Sequence, residues 1–458
     1  MKLRNAFVCA LLLLLAAQTS AFAEGFGVYE WSASGTAMGE AYMFGENDPA
    51  VLAYNPAQIT KLDGKYLSFG NTWVNYDIST RFTGSGMLNG YKDGVWDSEY
   101  SPANIPYFYY AQKAGKNSWW GVAFFARYGN NIEYDDAWPG RYDTVYSGIK
   151  GVTLQPTYAF KINDKLSMGV GLDINYINLR MKKDTPAYAN PSKLNPALPN
   201  QNIYLGDIHS DLNGHTTELG WVASLMYDFT PKTSVAVMYR AKVEHTMDAD
   251  IDFDYALSQQ AQGILGSLPA TVRQALAAKM PGYTGAHGKV TLPDSISIGI
   301  GHKFDDRTRI EFDAVWTNWA TYDALNIYFD NGPLGTPGTF QQKNWKASWR
   351  LGLGIEHKLS RQWSIMGGYV WDQSPVPNDS MDFTVPTGDR HRGSLGFKYR
   401  PTENSEIAFA YTAIWAGSRD VKSHLSRETG AFQEDYVNGH LHDGLTQLVS
   451  LGYTMKLK

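Results

Sequence analysis

The chain has 458 residues, of which 43% are hydrophobic and 14% aromatic, with a formal net charge of -5. That length suits one large barrel or two to three soluble domains, and the mild negative charge gives no basis for nucleic-acid binding. The single cysteine, Cys9, falls inside an N-terminal leader, so the rest of the chain contains no thiol or disulfide.

The leader spans residues 1–23. Lys2 and Arg4 precede an apolar run from Ala6 to Ala17, and Ala21-Phe22-Ala23 is a small-x-small cleavage site. This is the pattern of a secretory signal, with Glu24 as the mature start. The run is too short to span a bilayer comfortably as an uncleaved anchor. Cys9 lies before the run ends, which argues against a lipoprotein site. No other segment carries the run of about 20 apolar residues that a membrane helix needs.

Residues 24–64 do not alternate as a strand does. Gly25, Gly27, Gly35, Gly39, Gly45 and Gly64 are spread among small residues, and Asp48-Pro49 and Asn55-Pro56 mark turns. The segment is too long for a strand lead-in and too apolar for a disordered tail. It reads as a compact plug of short helices inside a wide lumen, which side chains alone would not fill.

From residue 65 to residue 458 the pattern changes to short alternating stretches. Trp345, Ala347, Trp349, Leu351, Leu353 and Ile355 share one parity, and Lys346, Ser348, Arg350, Gly352, Gly354 and Glu356 the other. Successive side chains of a strand point to opposite faces, so one face here is greasy and the other polar or tiny. The same split recurs at Ile296/Ile298/Ile300, Leu395/Phe397/Tyr399 and Val449/Leu451/Tyr453/Met455. Tight turns at 114–117, 162–164, 230–232, 305–306, 360–361 and 401–403 alternate with long connections, and the tally is about fourteen strands. Many Trp and Tyr fall near strand ends, among them Trp119, Trp120, Trp221, Trp316, Trp319, Trp345 and Trp363, as expected of aromatic girdles. The fold expected is all-β, a transmembrane antiparallel barrel in the outer membrane of a Gram-negative bacterium, with an N-terminal hatch.

Two long connections are distinctive. Residues 182–212 are rich in Pro and Asn and read as irregular. Within 250–285, Asp254 to Met280 reads as helix: Leu257, Ala261, Ile264, Leu265, Leu268, Val272, Ala275, Leu276 and Met280 recur at helical spacing, with Ser267 and Pro269 placed to break and restart it. Such a stripe is buried either against its neighbour loop or in a groove shared with 182–212 that receives a hydrophobic ligand.

Several runs resemble the FadL-type family of long-chain fatty acid and aromatic hydrocarbon transporters of the outer membrane (OMPP1/FadL/TodX). Gly25-Phe26, Ala37-Met38-Gly39-Glu40-Ala41 and Tyr54-Asn55-Pro56-Ala57-Gln58 look like its hatch. Tyr128-Gly129, Ala137-Trp138-Pro139-Gly140-Arg141-Tyr142, Leu292-Pro293-Asp294-Ser295, Asp313 to Trp319, Asn344-Trp345, Gly368 to Pro377 and Asp389-Arg390-His391 follow in family order. The likeness covers essentially the whole chain after the leader. One departure is the C-terminus, Tyr453 to Lys458, which lacks the family's terminal aromatic. The resemblance implies capture of ligand at an outer apolar groove, here Leu257, Ile264, Leu265, Leu268, Val272 and Leu276. It implies transfer to a lumen pocket near Phe26, and lateral exit at a third-strand kink, here Tyr128, Gly129, Asn130 and Asn131. Asn55, Pro56 and Ala57 carry the hatch motif.

By parity Arg127, Arg240, Lys242, Arg350 and Lys398 point into the lumen, as do Asp173, Glu218, Glu311, Asp313 and Glu356. They read either as an ion-pair network bracing the hatch or, for Arg127, Arg240 and Arg350, as partners of a fatty acid carboxylate. An enzyme is not expected. There is no Gly-x-Ser-x-Gly elbow, His-Glu-x-x-His or phosphate loop, although His209, His215, His391, His440 and His442 are available to a Ser–His pair that only geometry reveals. His440 and His442 with His424, Glu434 and Asp435 resemble a metal cluster only loosely, and a solvated loop explains them; no metal and no cofactor is expected. Asp248, Asp250, Asp252 and Asp254 alternate on one face, which suits a solvated strand tip or a cation bridge to lipopolysaccharide. The expected partners are a hydrophobic small molecule, outer-membrane lipid and lipopolysaccharide, and the barrel assembly machinery, with the chain a monomer. The rival readings are a general or polar-solute porin, and less so a lipid-modifying enzyme or an adhesin. A hatch with an apolar helical loop is what a polar pore does not need.

Overall fold

The computed structural model describes residues 25–458 apart from 76–78, 86–93, 100–101, 191, 193–195, 198–199, 202, 379, 425–435 and 443. The leader and Glu24 lie outside the described residues. Among those residues no helix is long and apolar enough to cross a membrane.

One sheet of eighteen strand segments forms the body. Four pairs of segments each continue one another across a short break, leaving fourteen strands. They are β1 (Lys65–Asn75), β2 (Ala103–Lys113), β3 (Ser118–Glu133), β4 (Tyr146–Lys161), β5 (Leu166–Ala189) and β6 (Ile203–Thr230). The four broken strands follow: β7 (Thr233–Arg240 and Val243–Leu257), β8 (Tyr283–Leu292 and Ser295–Lys303), β9 (Thr308–Thr317 and Ala324–Phe329) and β10 (Gly338–Gln342 and Ser348–Lys358). Last come β11 (Trp363–Asp372), β12 (Arg390–Thr402), β13 (Ser405–Ala416) and β14 (Gly444–Leu457). Every pairing is antiparallel, and β1 pairs with β14 from Lys65↔Leu457 to Asn75↔Gln447, which closes the barrel. Closure removes the free edge that lipid would otherwise leave unsatisfied.

The alternation places Trp349, Leu353 and Ile355 outward, each about 45% exposed, and buries Arg350, Gly352, Gly354 and Glu356. Two residues depart from strict parity. Trp345 is buried rather than outward, because β10 is interrupted over 343–347 and the chain turns inward there. Lys242 is exposed rather than in the lumen, because β7 breaks between Arg240 and Val243. Trp119 and Trp319 are likewise buried and belong to the interior, while Trp120, Trp221 and Trp363 face out.

Pairing runs well beyond the apolar belt at the end that carries the long connections. Residues 182–189 and 203–212, read from sequence as irregular loop, are strand: β5 and β6 stay paired to Ala189↔Ile203. The Pro and Asn content misled because polar residues suit strands whose outer face meets water rather than lipid. The long connections after β1 and β13 also contain strands. Ser79–Ser85, Gly94–Asp97, Arg419–His424 and Tyr436–Leu441 form a separate four-stranded sheet.

The segment ahead of β1 lies inside the barrel. Its helices are α1 (Ala33–Ala37) and α2 (Val51–Tyr54), followed by a 3-10 turn at Pro56–Lys61. Ser32 caps α1 by accepting from the Gly35 N–H at 2.9 Å. Asn55 and Gln58 reach back to the carbonyls of Met43 and Gly45 at 3.0 and 3.1 Å. Gly39 has φ +62, and a Cβ there would stand 2.8 Å from the Tyr369 backbone nitrogen. The facing Gly368 is as tightly constrained, since a Cβ on it would meet the Gly39 nitrogen at 2.1 Å. Tiny lumen-facing residues thus let two backbones touch. Tyr109 donates to the Trp31 carbonyl and Trp119 to the Leu62 carbonyl, each at 2.8 Å.

Candidate functional site

Phe26 stands where the hatch begins, and four rings surround it. Trp319, Tyr322, Trp345 and Tyr128 have centroids at 4.8, 5.4, 5.7 and 5.8 Å. Such edge-on packing adds about 0.5–1.5 kcal/mol per pair to the apolar burial. The rings converge because β8 and β9 part between Gly288↔Ile327 and Ser295↔Thr317. Asn318 bridges the parting to Asp294 through its N–H (2.9 Å) and its side chain (3.0 Å). The turn at Trp319–Thr321 then drops Trp319 into the lumen, 1% exposed.

Two cavities flank Phe26. The outer one is apolar, lined by Phe26, Ile149, Ile177, Leu179, Met181, Met247, Val290 and Leu325, with Asn130, Ser147 and Thr384 as polar edges. The inner one is charged: Tyr29, Glu40, Arg127, Arg240, Asp313 and Arg350 line it, with Tyr128 and Trp319 at the boundary. Each leaves about 30 Å³ free, room for about two waters. A longer ligand therefore has to displace side chains.

The three arginines are not equivalent. Arg240 is held by Asp173 at 2.5 Å, Gln155 at 2.9 Å and the hatch carbonyl of Ala53 at 3.1 Å. Arg350 meets Glu40 of the hatch at 3.1 Å and lies over the Tyr29 ring. Arg127 is held more loosely, with the Tyr128 hydroxyl at 3.0 Å, Asn175 at 3.5 Å and Asp173 at 3.6 Å.

The wall opens beside Arg127. On the β2 side, pairing of β3 stops at Phe108↔Phe124. On the β4 side it continues to Glu133, with a bulge between Ala126 and Tyr128. The hatch fills part of the vacated edge: Gly27 pairs with Tyr128, Val28 N–H donates to the Arg127 carbonyl and Gly129 N–H to the Phe26 carbonyl, both at 2.9 Å. Asn130 points inward and donates to the Thr384 carbonyl at 3.0 Å. Asn131 continues the β4 ladder opposite Gly148.

Thr384 belongs to the loop between β11 and β12, which folds into the barrel mouth and buries Met381 and Phe383 completely. Phe383 N–H donates to Asp143 at 2.7 Å and its ring meets Trp138 edge-on at 5.2 Å. Lys343 ties the loop down through Asp382 and through Thr384 at 3.2 Å. Lys183, on the part of β5 beyond the apolar belt, lies near Asp143 and Lys343; burial pulls its ammonium down to about 8, against the attraction of Asp143. Sequence reading missed these lysines, since single basic residues in polar stretches carry no periodic signal.

At the end of the barrel that carries the long connections, α3 (Gln259–Ser267) and α4 (Ala270–Ala277) follow β7, divided at Leu268-Pro269. Ser258 joins them to the start of β6, its N–H donating to Leu205 at 2.8 Å and its hydroxyl to Tyr204 at 3.1 Å. Leu268 is buried, while Leu257, Ile264, Leu265, Val272 and Leu276 are only half-covered. Asn55, Pro56 and Ala57 sit low in the hatch, and Ala57 N–H donates to Ser224 of β6 at 2.8 Å. His440 pairs with Asp420 at 2.8 Å. Among the described residues no three His, Cys, Asp or Glu side chains are grouped to hold a metal; Glu434 and Asp435 lie outside them.

A sequence model described as outer membrane protein transport protein (OMPP1/FadL/TodX) matches residues 13–452. The chain belongs to this family. Among curated OMPP1/FadL/TodX proteins it is 25% identical to the long-chain fatty acid transport protein of Escherichia coli strain CFT073, over 85% of this chain and 86% of that one. It is also 25% identical to outer membrane protein P1 of Haemophilus influenzae, over 90% of each. Solved structures share the fold: a Pseudomonas aeruginosa FadL homologue superimposes with TM-score 0.79 at 19% identity, covering 95% of this chain and 100% of that one. The Pseudomonas putida toluene transporter TodX gives 0.64 at 16%, covering 94% and 99%. The protein is thus a FadL/TodX-type transporter of hydrophobic substrates in the outer membrane, in a family of transport proteins rather than enzymes.

Proposed function

We propose that this protein takes up long-chain fatty acids or related hydrocarbons. The half-covered stripe on α3 and α4 captures the ligand, the outer apolar cavity at Phe26 receives it, and it leaves sideways where β3 parts from β2. The observation that carries this reading is the placing of Phe26, which walls an apolar cavity and whose carbonyl is bonded to Gly129 in the interrupted strand. Moving the ligand and freeing that strand edge therefore involve one short segment. Lateral release also suits the energetics. A ligand delivered to aqueous periplasm loses on the order of 0.8 kcal/mol for each methylene returned to water, and one delivered to the bilayer does not. The names of the relatives support both substrate types, long-chain fatty acid in one case and toluene in the other. The inward loop ending at Asp389 stands over the cavity, and a ligand carboxylate competing with Asp382 for Lys343 would loosen it. A cleaved leader, lipopolysaccharide around the rim, insertion by the assembly machinery and a monomeric state complete the proposal.

The test is uptake of labelled palmitate and hexadecane by cells lacking their own transporter and expressing this chain. Uptake of at least one above the empty vector is expected. If neither enters, and the purified protein conducts small ions with the hatch in place, the polar porin is the better description. Removal of residues 24–63 distinguishes the two further, because it opens a transporter but leaves a porin's conductance little changed.

A further inference from the structure

At the end of the barrel that carries the tight turns, the inner wall is basic. Of the seven strands that run toward that end, six carry an inward-facing base at or near their last residue: Lys113 of β2, Lys161 of β4, Lys303 of β8, Lys358 of β10, Arg400 of β12 and Lys456 of β14. The whole chain has a net charge of -5, so this ring runs against the average. Four of the six meet carboxylates. Lys303 and Lys358 share Glu46 of the hatch, Arg400 meets Glu406 at 2.8 Å, and Lys456 approaches Asp63 at 3.7 Å. The seventh strand, β6, carries Asp228 instead, which takes Lys61 of the hatch. Lys113 and Lys161 differ from the rest. Both stand over the ring of Trp119, at 5.5 and 5.6 Å from its centroid, and neither has a carboxylate partner among the described residues. Contact with a ring favours each ammonium but leaves their mutual repulsion uncancelled. Their stems are fixed, since Lys113 N–H donates to Gly64 at 3.0 Å and Lys161 N–H to Asn117 at 2.9 Å. Lys116 and Lys165, exposed in the two adjoining turns, extend the same arc.

The short turns of outer-membrane barrels face the periplasm. We propose that the arc from β2 to β5 docks an acidic segment of a soluble periplasmic protein, whose carboxylates become the partners of Lys113 and Lys161. Charge complementarity of this kind fixes register and speeds encounter. Two observations favour such a segment over the other anions at this height. The first is direction. Lys113 and Lys161 share the inward parity of Ala111 and Ala159, which are buried, whereas the outward face there holds the exposed rings of Trp120 and Tyr158. The ammonium groups therefore aim at the mouth of the lumen and not at phospholipid headgroups around the rim. The second is room. Lys165 also lines a cavity of about 630 Å³ beneath the hatch, walled by Phe44, Phe229 and Ile310. That volume is in the range of binding clefts and exceeds what an inorganic anion needs. Three of the cavity's acids, Glu46, Asp228 and Glu311, are already joined to Lys303, Lys61 and Arg309, so they do not cancel the arc. The inference is independent of which molecule the barrel carries.

The experiment uses the full chain in nanodiscs of uncharged phosphatidylcholine, with a fluorescent oligoglutamate peptide as the probe and oligolysine as its control. Binding of oligoglutamate alone is expected, weakening as salt rises. Lys113→Gln with Lys161→Gln should weaken it about fivefold, as the loss of two exposed ion pairs does. Arg180→Gln with Lys289→Gln, at the end that carries the long connections, should leave it unchanged. Absence of binding by the wild type, or equal affinity in a folded Lys113→Gln/Lys161→Gln protein, overturns the proposal. An equal loss in the Arg180→Gln/Lys289→Gln protein also overturns it, because the peptide is then reading charge anywhere on the barrel. If the lysine pair instead governs only how much phosphatidylglycerol stays bound to the purified protein, a lipid headgroup is the occupant and the protein partner is refuted. Should the Lys113→Gln/Lys161→Gln protein fail to fold by heat-modifiability, Lys116→Gln with Lys165→Gln, in the turns and outside the ladder, takes its place. A fall of about fivefold there supports the site, and no change refutes it.

Discussion

Gly27 and Tyr128 form a backbone bridge between the plug and the barrel wall, at the point where β3 has lost β2 as a neighbour. The hatch thus stands in for a missing strand. Its two flanking hydrogen bonds, at 2.9 Å each, satisfy backbone groups that lipid could not. One of them is donated by Val28, so Val28→Pro removes it without touching the barrel ladder. The loss of about 1 kcal/mol should raise the opening of the hatch N-terminus about fivefold, read as faster hydrogen exchange at Gly129 and more frequent conductance bursts. Unchanged exchange at Gly129 would show that the bridge does not hold the segment.

Restoring continuity across the gap should block transport. Extending the β2–β3 register past Phe108↔Phe124 places position 106 opposite 126. With only Cys9 in the whole sequence, Pro106→Cys with Ala126→Cys can be crosslinked selectively. Crosslinked cells should lose most palmitate uptake while purified protein still binds palmitate. Full uptake after verified crosslinking would place the exit elsewhere.

The stripe on α3 and α4 lies outside the barrel ladder. Leu265→Asp with Leu276→Asp should leave the barrel folded by heat-modifiability and lower uptake several-fold at low ligand concentration. Higher ligand should recover part of it, because capture rather than passage is affected. Normal uptake at all concentrations would remove the groove from the route.

His209 and Asp184 join the extensions of β6 and β5 beyond the apolar belt at 2.5 Å, and Arg141 meets Asp184 at 3.2 Å. Burial acts to lower the His209 pKa, but the hydrogen bond and charge of Asp184 outweigh it and raise the ring above its ordinary value. Asp184 is itself pushed up by burial, against the pull of His209; we place the proton on His209, because Asp184 also faces Arg141. A raised histidine contributes stability that is complete below its unfolded pKa of about 6.5 and fades as pH rises through the higher folded value. The extensions should therefore resist protease better at pH 6 than at pH 9, and His209→Gln should flatten that difference. Equal resistance at both pH values in the wild type would deny the pair this role.

The sequence by itself determined the barrel, because a strand's period of two writes both its faces into the chain: Leu353 and Ile355 out, Gly352 and Gly354 in. Its glycines and its Asn55-Pro56 turn marked the plug, since close backbone approach leaves no alternative to small residues. The helical spacing from Leu257 to Met280 marked α3 and α4, though the turn of β7 through Asp254 to Leu257 stayed strand. What only the tertiary structure decided lies where strands break. Trp345 and Lys242 follow the sequence parity on paper, yet each sits on the other face, because an interruption resets the alternation and no local signal announces it. Long-range meetings were equally hidden. Phe26 and Trp319 are nearly three hundred residues apart in sequence, and their ring contact at 4.8 Å exists because the gap between β8 and β9 points at the hatch. His245 looked like one histidine among ten; only the fold shows that it is buried with neither ring nitrogen hydrogen-bonded among the described residues.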